Sequence, residues 1–184
     1  PRVAINVAAI HFRQAGFHED VRSVLDHHGI DPGLIELELT ERSLMEDTDS
    51  TRACLRALKD IGVRVAIDDF GTGYSCLSYL RRFPLDVLKI DRSFVSDLDT
   101  SIDAQAICGA ILSIAHRLSL EAVAEGIESE QQLAFLTKHG CQFGQGYYFS
   151  MPVDPVEIGK LMAERGAQTA RYGSVEQKRV ATTG

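Results

Sequence analysis

Four cysteines (Cys54, Cys76, Cys108, Cys141) are scattered along 184 residues with no CxxC pair, so neither a zinc knuckle nor a disulfide framework is indicated. Reduced thiols, as in the cytoplasm, are the default. No apolar run is long enough to span a bilayer, and no signal peptide precedes the first segment. The expected compartment is therefore the cytoplasm, with any membrane tether carried elsewhere in a parent protein. Basic residues are also in deficit: 19 Lys and Arg against 26 Asp and Glu give a net charge of −7. DNA and anionic membranes need a basic face, so general binding to either is excluded. A small phosphorylated ligand stays open if metal ions bring positive charge locally. The six histidines (His11, His18, His27, His28, His116, His139) show no HExxH spacing and are read as surface residues. No linker-like tract divides the chain, and its 45% hydrophobic content supports one core. The start at Pro1, directly before a strand-like segment, reads as a fragment of something longer.

The most informative stretch is Val63 to Tyr74, VRVAIDDFGTGY. Val63, Val65, Ala66 and Ile67 suit a strand buried on both faces, and the run ends in two aspartates, Asp68 and Asp69. Adjacent carboxylates raise each other's pKa unless a cation relieves them, and a divalent metal is the readiest such cation. The structural alternative is a strand end whose aspartates begin an Asx turn. Gly71 and Gly73 then predict a mobile loop beside the pair.

The same alternation recurs along the chain. Val3 to Val7 is a short strand interrupted by Asn6, whose amide, if buried, needs partners. Phe17, Val21, Val24 and Leu25 have helical spacing before Gly29. Leu34 to Thr40 alternates Ile35, Leu37 and Leu39 with Glu36 and Glu38, and ends at Glu41. A helix over about 51–61 carries Leu55, Leu58 and Ile61 on one face and stops at Gly62. Leu77 to Leu80 predicts a short helix, Asp86 to Asp91 a strand framing Lys89, and 107–118 a further helix. Glu121 to Ala124 is a strand ending at Glu125, Gly126 and Glu128, and Ser129 with Gln132 reads as a capping box. Cys141 to Ser150 repeats the pattern, and Asp154, Pro155 and Glu157 read as cap, first residue and capping-box partner of a last helix to about residue 164. The polar tail from Gly166 is expected to be disordered. About six strand–helix units imply parallel βαβ architecture, either an open doubly wound sheet or a (β/α)8 barrel short of about two units.

The polar exceptions keep one phase. Asn6, Glu38, the Asp68/Asp69 pair, Lys89, Glu125 and Gln145 each fall on or just past the C-terminal part of a different strand, where both architectures build sites. Singly, each has a structural reading: Lys89 an ion pair at the core edge, Gln145 an amide satisfying backbone, Glu125 a helix-entry cap. Together they point to function. Oxygen ligands without His or Cys suit Mg²⁺ or Mn²⁺, and adjacent aspartates suit a two-metal site for phosphoester cleavage. In that reading Lys89 orients the attacking water and Glu125 moves a proton.

ELTE (38–41), DDFGTGYS (68–75), LKID (88–91), AEGIE (124–128) and QGYYFS (145–150) resemble the motif series of the EAL domain, the bacterial phosphodiesterase of cyclic di-GMP. The resemblance covers about 3–164. It implies a TIM-type (β/α)8 barrel, two Mg²⁺ or Mn²⁺ ions and hydrolysis of cyclic di-GMP to linear pGpG. It assigns Asn6, Glu38 and Asp68 as metal ligands, with Asp68 bridging and Asp69 on the second ion. Lys89 stands beside the catalytic water and Glu125 is base or metal partner, with Glu128, Gln145 and Asp91 in support. Glu41 holds the loop that carries Gly71, Thr72 and Gly73, a loop linked to metal binding and dimer formation. A homodimer and an upstream GGDEF or sensory domain are also implied, and Ca²⁺, with its looser coordination, is expected to inhibit. There are departures. The Glu-Ala-Leu triplet is absent from these residues, Met151 stands where the family commonly has a basic residue, and Cys76 replaces a common serine. If the triplet is altered in the parent, a non-catalytic cyclic di-GMP receptor is the alternative.

Overall fold

Neighbouring parallel strands cannot be joined by a tight turn, so the chain between them must cross over, usually as a helix. A computed structural model, which describes residues 2–44, 49–72 and 80–160, shows this alternation throughout. The strands are β1 (Val3–Asn6), β2 (Ile35–Thr40), β3 (Arg64–Phe70), β4 (Val87–Ile90), β5 (Glu121–Ala124) and β6 (Phe143–Gly144). Between them run α1 (Ala9–Phe12), α2 (Phe17–His28), α3 (Glu41–Leu44), α4 (Asp49–Ile61), α5 (Arg92–Val95), α6 (Ile102–Arg117) and α7 (Glu130–Lys138). All neighbouring strands pair in parallel and in chain order. A doubly wound sheet reverses strand order at a switch point, and this sheet has none. The fold is the wall of a TIM-type barrel, open between β1 and β6 among the described residues.

The alternation in β2 separates two buried faces rather than a core face from a wet one. Leu37 and Leu39 join Leu55, Leu58, Val65 and Ile67 in the main apolar core. Glu36 and Glu38, only 9% and 5% exposed, face the barrel interior, where Lys89 and Arg64 meet them. A strand buried on both faces usually reads as continuous apolar sequence. Here the interior is ionic instead.

The helices follow their signals with local differences. α4 buries Leu55 and Leu58 completely. α6 begins at Ile102, five residues before the predicted start, because Ser101 caps it by accepting from Ala104 N at 3.1 Å. Its first turn buries no residue, and the apolar Ile102 there is 83% exposed, so the buried face starts only further along. The capping box of α7 is present in full. At the last helical stretch, 155–160, Asp154 caps by accepting from Val156 N and Glu157 N, but Glu157 pairs with Lys160 at 2.9 Å instead of reaching back. Within 141–150, the stretch that repeats the strand pattern, the strand itself is only two residues long. Gly146 forces the turn: with φ +153° its backbone packs so close to Ile127 that an added Cβ would stand 2.2 Å from the Ile127 carbonyl oxygen. Residues 77–79, Gly73 and the tail from Gly166 lie outside the described residues.

β1 departs most from expectation. It has one neighbouring strand, and Val3, Ile5 and Asn6 are exposed, the first two by 58% and 44%. Asn6 is therefore not the buried amide that its apolar neighbours imply.

Candidate active site

Four strands deliver charged groups to one place. Lys89 of β4 is 5% exposed, and its Nζ lies 2.7 Å from Glu38 Oε1 (β2), 3.1 Å from Asp68 Oδ1 (β3) and 2.6 Å from Glu125 Oε1, just past β5. An ammonium at that depth without partners would shed its proton. Burial does oppose the charge on Lys89, but the hydrogen bonds and charges of Glu125 and Glu38 outweigh it and hold its pKa above the ordinary value. The same burial pushes the Glu125 carboxyl up, against the pull of Lys89. Gln145 fixes the shared oxygen, donating from Nε2 to Glu125 Oε1 at 2.8 Å.

Adjacent strand residues ordinarily face opposite sides, so Asp68 and Asp69 should not share a site. A register shift in the β3–β4 pairing between Ile67 and Phe70, with Asp69 at φ +54°, turns the second aspartate back toward the first. Carboxylate oxygens of Asp68, Asp69 and Glu125 then lie within 4.8 Å of one another. Burial, together with the Asp68 and Asp91 carboxylates, pushes the Asp69 carboxyl up. Glu38, Asp68, Asp69 and Glu125 are four carboxylates facing one ammonium, which leaves three negative charges to be met. An all-oxygen, electron-rich cluster of this kind fits a hard divalent cation.

The supporting residues have distinct tasks. Glu41 is 3% exposed and accepts from Gly71 N at 3.1 Å through Oε2, tying the residues after β3 to α3, while its Oε1 is buried and has no hydrogen-bond partner among the described residues. Thr72 donates from Oγ1 to Asp69 O at 2.9 Å and braces the bulge. Asp91 caps α5 by accepting from Ser93 N at 3.0 Å. Glu128, just beyond β5, is exposed and pairs with Arg92. Asn6 lies at the edge, in register with Glu38. Five of the histidines are exposed and none joins the carboxylate cluster.

Two features were not foreseen. Arg2, Glu36, Arg64 and Glu121 form an ion-pair cluster at the strand starts, with Arg64 Nη2 2.7 Å from Glu121 Oε2. A cavity of about 270 Å³ opens beside Glu125 and Gln145, reaching past Gly126 to Arg92, Tyr147 and Met151. Arg92 falls in no polar phase of the repeat, so sequence alone gave it no role.

The EAL domain family model matches residues 1–152. The chain belongs to the EAL domain family. Cyclic di-GMP phosphodiesterase NbdA of Pseudomonas aeruginosa is 47% identical to this EAL domain over 152 residues, covering 83% of the chain and 19% of NbdA. A cyclic di-GMP complex of the PaMucR phosphodiesterase superposes with a TM-score of 0.81 at 41% identity, covering 85% of this chain and 64% of that one. A manganese and cyclic di-GMP complex of Klebsiella pneumoniae BlrP1 superposes at 0.75 and 34% identity, covering 82% and 39%, and the same protein is known with calcium. This EAL domain thus spans about a fifth of NbdA and well under the full length of either solved chain.

Proposed function

We propose that this EAL domain is a metal-dependent phosphodiesterase that hydrolyses cyclic di-GMP to linear pGpG. The observation that carries the proposal is the convergence of Asp68, Asp69 and Glu125 around a buried Lys89. Cyclic di-GMP phosphodiesterases among its relatives support the substrate. Asp68 would bridge two ions, Asp69 would hold the second, and Glu38 with Asn6 would complete the first. Mg²⁺ or Mn²⁺ held there supplies Lewis acidity toward the phosphate and acidifies a water.

The chain's own residues do the rest. Lys89 donates to the attacking water and orients it, and Glu125 accepts its proton. The water oxygen forms a new bond to phosphorus, the ester bond to the 3′ oxygen breaks, and a proton returns to that oxygen. Gln145 holds Glu125 in place for the transfer. Gly71 and Thr72, tied by Glu41 and Asp69, would connect the centre to the chain from Gly73 onward and, in a homodimer, to a partner. The name of MucR, a bifunctional diguanylate cyclase and cyclic di-GMP phosphodiesterase, supports an upstream regulatory domain in the parent. A cytoplasmic site of action would follow from the nucleotide.

The test is incubation of the intact protein with cyclic di-GMP and Mg²⁺ or Mn²⁺, with chromatography for pGpG and Asp68→Asn as control. Metal-dependent pGpG that disappears in the control is expected. Near-normal turnover by Asp68→Asn would refute the bridging role, and tight binding without product would make the domain a receptor. Excess Ca²⁺ should suppress turnover, because its larger and looser coordination shell fits poorly where Mg²⁺ geometry is needed.

A further inference from the structure

Asp69 reaches the carboxylate cluster only because the backbone bulges. Its φ of +54° lies where side chains are strained, and Gly71, two residues on, has φ +96°. Such a conformation persists only when its surroundings hold it. Some of that hold is local: Asp69 N donates to Asp68 Oδ1 at 3.0 Å, and Thr72 donates to Asp69 O from both N and Oγ1. The rest comes from the two strands that flank β3. On the β2 side, Glu41 accepts from Gly71 N. On the β4 side, Phe94 of α5 presents its ring to the same glycine: a Cβ added at Gly71 would stand 2.9 Å from both Cε2 and Cζ, and 3.8 Å from Ile111 Cδ1 of α6. Phe94 itself is firmly placed. Its N donates to Asp91 O at 3.0 Å, Asp91 caps the same turn, and the next residue, Val95, is fully buried.

We propose that Phe94 is a positioning residue for the second metal ion, acting through Gly71 on Asp69. The inference rests on the two-ion reading above. Asp68 stands in register with Thr40 of β2, so the sheet sets its place. Asp69 has no partner residue on either neighbouring strand, and its carboxylate depends on the turn that follows. Glycine and ring are matched there. With no Cβ at position 71 the backbone lies close against the ring, and the ring in turn blocks that backbone from relaxing toward α5. Glu41 alone restrains less, since the chain can pivot about a single N–H bond. A leucine at position 94 keeps apolar bulk but leaves a gap facing Gly71, into which the left-handed turn would relax. The effect of Phe94 therefore falls on the ion held by Asp69 and spares the one held by Asn6, Glu38 and Asp68. A residue that served only the apolar core would weaken both ions or neither.

The experiment titrates the intact, metal-free protein with Mn²⁺ by calorimetry, resolves the two ions, and follows urea unfolding in EDTA to confirm that each variant folds. The wild type should take two ions. Phe94→Leu should raise the dissociation constant of one ion about tenfold, the scale on which support of a metal ligand acts, and change the other less than about twofold. Gly71→Ala should do the same from the other side of the contact. A double-mutant cycle separates positioning from packing. Asp69→Asn should weaken the same ion, and adding Phe94→Leu to it should weaken that ion no further, because the ligand that Phe94 positions is already gone. Should Phe94→Leu fail to fold, Gly71→Ala takes its place in the cycle. Equal weakening of both ions, unchanged constants in either folded variant, or a full further loss on top of Asp69→Asn would overturn the inference and leave the two-ion reading standing. A wild type that binds fewer than two Mn²⁺ would overturn that reading as well.

Discussion

Lys89 acts as the internal counterion of the site. Its ammonium pairs with Glu38, Asp68 and Glu125 together, so Lys89→Met leaves these carboxylates without that cation. Breaking a buried pair in this way costs about 3–5 kcal/mol. A large drop in melting temperature is expected for metal-free Lys89→Met, and Mn²⁺ should restore part of it by meeting the same charges. An equal drop with and without Mn²⁺ would sink that account. Glu125→Gln should keep nucleotide binding and stop hydrolysis, since an amide takes no proton at this pH. If binding disappears instead, Glu125 is a ligand contact rather than a base.

Proton linkage gives a further prediction at this scale. Burial pushes the thiols of Cys108 and Cys141 up from 9.0 to about 11 and about 12, and Lys89 is also held above its ordinary 10.5. All three keep protons in the folded state that the unfolded chain releases first. Their contribution is therefore complete below about pH 9 and is lost as pH rises from there through the folded values. The urea midpoint should fall between pH 9 and 11, and less steeply in a Cys108→Ala/Cys141→Ala variant. A midpoint independent of pH across that range would contradict the burial of the thiols.

Among the elements, α7 shows how a local signal serves the site. Gln132, 5% exposed, accepts from Glu128 N at 2.7 Å and Ser129 N at 3.1 Å, and donates to Ser96 O at 3.2 Å. The capping box thus fixes the turn between Glu125 and the helix and ties it to the end of α5. Gln132→Ala should cost roughly 2 kcal/mol in urea unfolding, since it removes a buried side chain and all three of its hydrogen bonds to part-buried backbone. A cost below about 0.5 kcal/mol would mean water replaces the amide. This box, the helix stops and most strands were legible because they depend on residues three or four apart. The length of β6 was not, because the close approach of Gly146 to Ile127 brings together residues 19 positions apart in the chain. The bulge at Asp69 was equally hidden: its register shift exists only in the pairing of β3 with β4.

At the scale of the fold, the barrel wall is open among the described residues. β1 presents Val3 and Ile5 to solvent along an edge that pairs with no further strand among the described residues, the usual template for edge-to-edge association. The 184 residues expressed alone should self-associate in a concentration-dependent way, and Val3→Lys with Ile5→Lys should reduce this by charging the edge. A monodisperse monomer at high concentration in light scattering would refute the prediction.

Residue order alone determined the alternation of strand and helix, the family, and the phase that sets Glu38, Asp68, Lys89 and Glu125 at strand ends, because periodicity and motif are properties of neighbours in the chain. Tertiary structure decided the rest. Asp69 shares a site with Asp68 through a bulge, Lys89 is neutralised by three strands at once, Asn6 is exposed at an edge, and Arg92 stands over a cavity. Each of these depends on which distant backbone passes within a few ångströms, a distance that no local pattern encodes.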